Sequence, residues 1–311
     1  MKRITKLFLT AAVVLFAGSV FAQDMTQAGE FYQKGTEAYQ AGNEMEAVKN
    51  FKEALKIAEA AGEEGVEMVQ GCKDMIPQIL LSAAGKMVAA KDYANAETTY
   101  NEALEAAKSF GNEAVAKNAE TKLAQIPLQQ GGEALNAGNT EEAIGLFQKA
   151  VERDANNAKA HLFLGMALNK AGKSADAEAS LIKAKELGDA NAEKTLSQMY
   201  VASANEAMKA KKFSEAISTA EKALAIAPNP TASLIAGMSA YQAKNWNKAI
   251  AHLPNAPASA QNLYILASCY ENAGKKAQAC ATYRKVTGDA KFGPTAKQKL
   301  VRHWALPLED D

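Results

Sequence analysis

The chain has 311 residues, 48% of them hydrophobic, which allows a sizeable core and excludes a disordered polymer. Its 35 basic and 35 acidic residues balance, and both signs run along the sequence. No basic stripe offers to neutralise phosphates, so no nucleic-acid partner is expected.

Met1 to Lys6 carries three basic residues, Leu7 to Ala22 is mostly apolar, and Val20-Phe21-Ala22 supplies small or apolar groups at a cleavage point. This is the layout of a secretory signal peptide over residues 1–22. The apolar run falls short of the roughly 20 residues that span a bilayer. No second stretch is long enough, so no stable span is expected after cleavage. The one Asn-x-Ser/Thr run, Asn229-Pro230-Thr231, contains the excluded proline, which favours a bacterial periplasm or cell surface.

Beyond Ala22, Ala dominates the apolar set and alternating Val/Ile runs are nearly absent. Ala, Leu, Glu, Lys and Gln form helices well, so the fold class is all-α. One pattern then recurs: a small residue, a large one four places later, and a second small one three places after that. It appears as Ala47-Phe51-Ala54, Ala96-Tyr100-Ala103, Ala143-Phe147-Ala150 and Ala177-Leu181-Ala184. Looser copies are Ala216-Ala220-Ala223, Ala249-Leu253-Ala256 and Ala279-Tyr283-Val286. These spacings put the marked residues on one helical face, where small residues admit a neighbouring helix and the large one fills the remaining gap. Another helix precedes each copy, as in Leu164-Gly165-x2-Leu168 and Ala236-Gly237-x2-Ala240, and turns such as Ala41-Gly42-Asn43 and Ala273-Gly274-Lys275 separate the two.

This pattern resembles the tetratricopeptide repeat, a helix-turn-helix unit of about 34 residues. The fullest match runs through His161, Leu164, Gly165, Leu168, Ala177, Leu181 and Ala184; a second ends in Ala223 and Pro228. Seven copies in order cover about residues 28–290. The resemblance implies a right-handed α-α superhelix of about seven helical hairpins with a C-terminal capping helix. The expected organisation is extended repeats over 23–123, ordinary repeats over 124–290, the capping helix over 291–305 and a tail over 306–311. Ile76-Pro77 and Ile126-Pro127 mark the extended part, and whether the two blocks stack continuously or bend at Pro127 stays open.

The resemblance further implies that first helices line a concave side that holds a protein or peptide. Carried over by position, the N-terminal lining is Tyr32, Tyr39, Leu81, Val88 and Leu128; the C-terminal lining is Leu162, Met166, Met208, Leu234, Met238, Tyr241 and Tyr264. Each side chain has a second reading as packing between repeats. Isolated Lys159, Asn169 and Asn205 predict no clamp for a terminal carboxylate.

Motifs of chemistry are absent. His161, His252 and His303 lie far apart without ligand spacing, and no phosphate loop, nucleophile elbow or calcium loop occurs. No catalytic residue, metal or cofactor is expected. Cys269 and Cys280 flank the last hairpin turn at similar distances, so they either meet as a disulfide or remain two thiols; Cys72 stands alone. The expected function is a non-catalytic envelope adaptor. The alternatives are a carrier of a small apolar or saccharide ligand and an accessory subunit of an envelope enzyme.

Overall fold

The computed structural model describes residues 20–304, with side chains over 24–301. Residues 1–19 of the expected leader and the tail over 306–311 lie outside the described residues. Among those described there are fifteen α-helices and no strand. Fourteen pair into seven hairpins: α1 (Val20–Gln40) with α2 (Glu44–Ala60), α3 (Val66–Ala89) with α4 (Tyr93–Ser109), and α5 (Glu113–Asn136) with α6 (Thr140–Arg153). Then come α7 (Ala158–Lys170) with α8 (Ser174–Glu186), α9 (Ala192–Lys209) with α10 (Phe213–Ile226), α11 (Pro230–Gln242) with α12 (Trp246–His252), and α13 (Ala260–Asn272) with α14 (Lys276–Arg284). The last helix, α15 (Gly293–Trp304), buries Ala296 and Leu300 in one cluster with Tyr283 and Val286. The seven hairpins and final helix are those that the repeat pattern predicts.

The chain divides into two compact units, residues 1–155 and 156–311. That division falls at the end of the α5/α6 hairpin, whereas the change of repeat class expected at 123/124 lies inside α5.

All seven hairpin turns close in the same way. The residue after the turn donates its N–H to a carbonyl five places back, as in Asn43 to Ala38 at 2.9 Å, Lys212 to Ala207 at 2.9 Å and Lys275 to Tyr270 at 2.8 Å. This is a Schellman closure, and it requires a left-handed residue one place earlier. Four turns use glycine there; the other three use Lys91, Lys211 and Lys244, with φ of 62°, 59° and 57°.

The recurring small-large-small pattern explains the hairpin core. Phe51, Phe147, Leu181 and Tyr283 are fully buried, and Ala47, Ala54, Ala143, Ala150, Ala177 and Ala184 flank them without exposure. The facing helix makes room with a glycine: a Cβ on Gly131 would come within 2.6 Å of the Phe147 ring, and one on Gly165 within 2.7 Å of Leu181. Bare backbone at those places is what seats the large side chain. Hairpins α3/α4, α9/α10 and α13/α14 hold Ala84, Ala204 and Ala267 in place of that glycine, and α9/α10 also has Ala220 at the large position.

Both prolines expected in long helices lie inside them, Pro77 in α3 and Pro127 in α5, each helix running 24 residues. Pro127 has no N–H to give the carbonyl of Leu123 four places back. The Arg153 guanidinium of α6 supplies the missing donor, with Nη1 2.7 Å from the Leu123 oxygen, while its other nitrogen pairs with Glu97 of α4. A charged donor on an otherwise orphaned carbonyl lets the helix continue through the proline.

Candidate functional site

The two helices of each hairpin meet their neighbours differently. Within the N-terminal unit α3 packs on α5; within the C-terminal unit α7 packs on α9 and α9 on α11. Successive second helices are instead spanned by long charged side chains. Lys52 of α2 reaches Glu102 of α4 at 4.0 Å, and Arg153 of α6 reaches Glu97 of α4. Lys222 of α10 reaches Glu178 of α8 at 2.8 Å, and Lys248 of α12 reaches Glu221 of α10 at 2.8 Å. Helices in direct contact sit closer than helices joined through lysine stems, so in each unit the first helices form the narrower side.

The bridging carboxylates are built into the packing. Tyr200 donates its hydroxyl to Glu178 at 2.8 Å, and His252 meets Glu221 at 3.1 Å. Burial alone would raise the Glu178 carboxyl, but the hydrogen bonds from Lys222 and Tyr200 outweigh it and hold the group below its ordinary value. Glu221 behaves likewise, with burial outweighed by Lys248 and His252. Burial, reinforced by the Glu178 hydrogen bond, pushes the Tyr200 hydroxyl up. The same construction recurs where Glu271 of α13 accepts from Tyr283 at 2.8 Å and from Lys299 of α15 at 2.9 Å.

The residues expected to line the first-helix side separate into groups. Leu162 is only 5% exposed and belongs to the core, so it is withdrawn from the lining. Met166, one α-helical turn further on, is 39% exposed and is the most open of the set. Tyr32, Tyr39, Leu81, Val88, Leu128, Met208, Leu234, Met238, Tyr241 and Tyr264 are half-buried. Several of these also pack: Tyr32 meets Phe51 edge-on at 5.1 Å, Tyr241 tilts against Trp246 at 6.0 Å, and Tyr264 contacts both Tyr283 and Phe292 at 5.4 Å. These half-buried residues keep part of an apolar or aromatic side chain at the surface while several are anchored by packing beneath.

Two clefts open to solvent. One, of about 430 Å³, lies beside the first hairpin turn and is lined by Glu44, Met45, Lys86 and Met87. The other, of about 340 Å³, lies between α8 and the α9/α10 hairpin; Ser203, Glu206, Thr219 and Lys222 are among its lining residues. Neither is the enclosed pocket that a carrier of a small ligand calls for.

The cysteine pairing does not form: Cys72, Cys269 and Cys280 are all free thiols. Cys269 is buried with Ile217, Ala249 and Leu253, whereas Cys280 packs against the cluster of Tyr283, Val286 and Leu300. Equal distance from the turn places the two on facing helices, but they serve different neighbours. Burial pushes the thiols of Cys72 and Cys269 up to about 12, so both stay protonated and unreactive at neutral pH. Among the described residues no group of three or more His, Cys, Asp or Glu is placed to hold a metal ion, and no helix is long and apolar enough to cross a membrane.

A tetratricopeptide-repeat family model matches residues 128–192, and the model described as anaphase-promoting complex, cyclosome, subunit 3 matches residues 209–286. No curated protein matches the chain. Among solved structures, a tetratricopeptide repeat protein from Parabacteroides merdae is 14% identical, with 88% of this chain and 98% of that one covered and a TM-score of 0.30. MamA is 20% identical over 60% of this chain and 98% of its own, with a TM-score of 0.37. YrrB, described as a TPR protein with an unusual peptide-binding site, is 17% identical over 60% and 96%, with a TM-score of 0.36. Likenesses of that strength carry no functional inference. The repeat pattern, the seven hairpins that realise it and the two family models together make this chain a tetratricopeptide-repeat protein.

Proposed function

We propose that this protein is a non-catalytic adaptor of the bacterial cell envelope that holds a protein segment along its first helices. The fold supports a protein–protein interaction role. The finer reading rests on one observation: first helices pack directly while second helices are held apart by ion pairs. On this reading Met166, Met208, Met238 and Tyr241, all on first helices, form the docking surface of the C-terminal unit. Flexible thioethers beside an anchored aromatic suit a partner's apolar side chains. Export rests on the basic head and apolar run of residues 1–22.

The test is affinity capture from the native envelope with the double variant Met238→Ala, Tyr241→Ala. Loss of the captured partner at least about tenfold, with the melting transition retained, is the expected result. Undiminished capture by the double variant removes the C-terminal half of the proposed surface.

A further inference from the structure

Charge is balanced over the chain, yet the compact units do not share it evenly. Residues 24–155 hold 12 basic and 22 acidic side chains, a net of −10. Residues 156–301 hold 19 basic and 10 acidic, a net of +9. Mixed charge along the sequence therefore hides two nearly equal and opposite excesses.

Part of each excess lies unpaired along one edge of its unit. Antiparallel helices in a stack put all hairpin turns on one edge and all links between hairpins on the other. In the C-terminal unit every hairpin turn carries lysine. Lys209, Lys211, Lys244, Lys275 and Lys276 are exposed and make no ion pair. In the N-terminal unit the links carry acid: Glu63 and Glu64 lie between α2 and α3 and Glu67 in the first turn of α3, with Glu105 and Glu113 around the next link. All five are exposed and without an ion-pair partner.

Helix dipoles account for some of these charges. Glu67 and Glu113 sit in first turns and Lys209 in a last turn, where such signs are favourable. They do not account for Lys211 and Lys244, which occupy left-handed backbone where four sister turns have glycine. A side chain there is strained relative to glycine. Lys91, the third such lysine, lies in the N-terminal unit and is paired with Glu133 at 2.9 Å.

We propose that the basic turn edge of the C-terminal unit docks the acidic link edge of the N-terminal unit of a second copy of this chain. A polyanionic partner would use the lysines and leave the acidic excess unmatched; a second copy uses both, and the two nearly cancel. Made once per pair, such a contact joins different surfaces and is heterologous, building a ring or a filament according to its rotation; made twice reciprocally, it closes a two-fold pair. This self-association is independent of the first-helix surface proposed above.

Sedimentation velocity on the purified protein tests it. At about 0.05 M salt the mean mass is expected to rise with concentration, and at about 0.5 M the dissociation constant is expected to be at least about tenfold higher. Two five-site charge reversals provide the specific arms: Lys→Glu at 209, 211, 244, 275 and 276, and Glu→Lys at 63, 64, 67, 105 and 113. Each variant alone is expected to stay monomeric, and an equimolar mixture is expected to regain mass, because it restores the native pairing of a basic turn edge with an acidic link edge and adds the charge-swapped pairing. A wild-type protein that stays monomeric at low salt overturns the proposal, as does association indifferent to both salt and reversal. Binding of an oligonucleotide or an anionic vesicle by an otherwise monomeric protein overturns it too, and assigns the lysines to that polyanion. The salt dependence of the unaltered protein decides the matter even if a reversal variant fails to fold.

Discussion

The N-terminal and C-terminal units build the same hairpin with different fillings. In the N-terminal unit all three hairpins carry an aromatic at the large position, Phe51, Tyr100 and Phe147, each at most 3% exposed. In the C-terminal unit the same position holds Leu181, Ala220, Leu253 and Tyr283. Where alanine takes the place, Ala220 and the facing Ala204 stay fully buried, so two small residues close the seam without a large one. The N-terminal unit is acidic and spends an arginine on continuing a helix through proline; the C-terminal unit is basic and keeps lysines in turns that favour glycine. One repeat grammar thus accommodates an aromatic-filled unit and one that seats side chains from alanine to tyrosine at the same buried position.

Removing an aromatic is the strongest way to erase that difference. Phe147→Ala leaves Gly131 facing a void and should lower the stability of the N-terminal unit by about 3–5 kcal/mol. Denaturant unfolding followed by circular dichroism measures it. A loss below about 1 kcal/mol would mean that the large position is not what firms this unit.

The proline account comes next in size. Arg153→Met strands the Leu123 carbonyl and should cost about 1–3 kcal/mol. In a Pro127→Ala background the helix regains its own donor, so the same substitution should cost markedly less. Equal costs in both backgrounds would dissociate Arg153 from the proline.

The ion pairs of the C-terminal unit predict an acid limb. Glu178 and Glu221 are held below the ordinary carboxylate value of 4.5 in the folded chain. A depressed folded value stabilises fully above 4.5, and that contribution is lost as pH falls through the folded value. Glu178→Gln should therefore lower stability by about 1 kcal/mol at neutral pH and flatten the decline below pH 4.5. Thermal melts across that range check both. The smallest expected effect has the opposite sign: Lys244→Gly relieves left-handed strain and should raise stability by about 0.5–1 kcal/mol.

Much of this was legible in the sequence because the repeat is local. Ala47, Phe51 and Ala54 share a helical face by spacing alone, and a turn such as Ala41-Gly42-Asn43 announces its closure. What spacing does not carry is the identity of the neighbour. Leu162 and Met166 both occupy lining positions by register, but only the packing of α7 buries the first and leaves the second open. Cys269 and Cys280 are symmetric about their turn, yet they face different clusters. The division of charge was present in the sequence, but a count over the whole chain cancels it; it emerges only when the boundary at Ala155 and Asn156 is known.

The most direct test of the adaptor reading is a photo-crosslinking side chain placed singly at Met166 and Met238 on first helices and at Ser218 on the exposed surface of a second helix, then activated in the native envelope. Adducts with one partner from positions 166 and 238, and none from 218, are predicted. Adducts from 218 with silence at the other two would contradict a docking surface on the first helices.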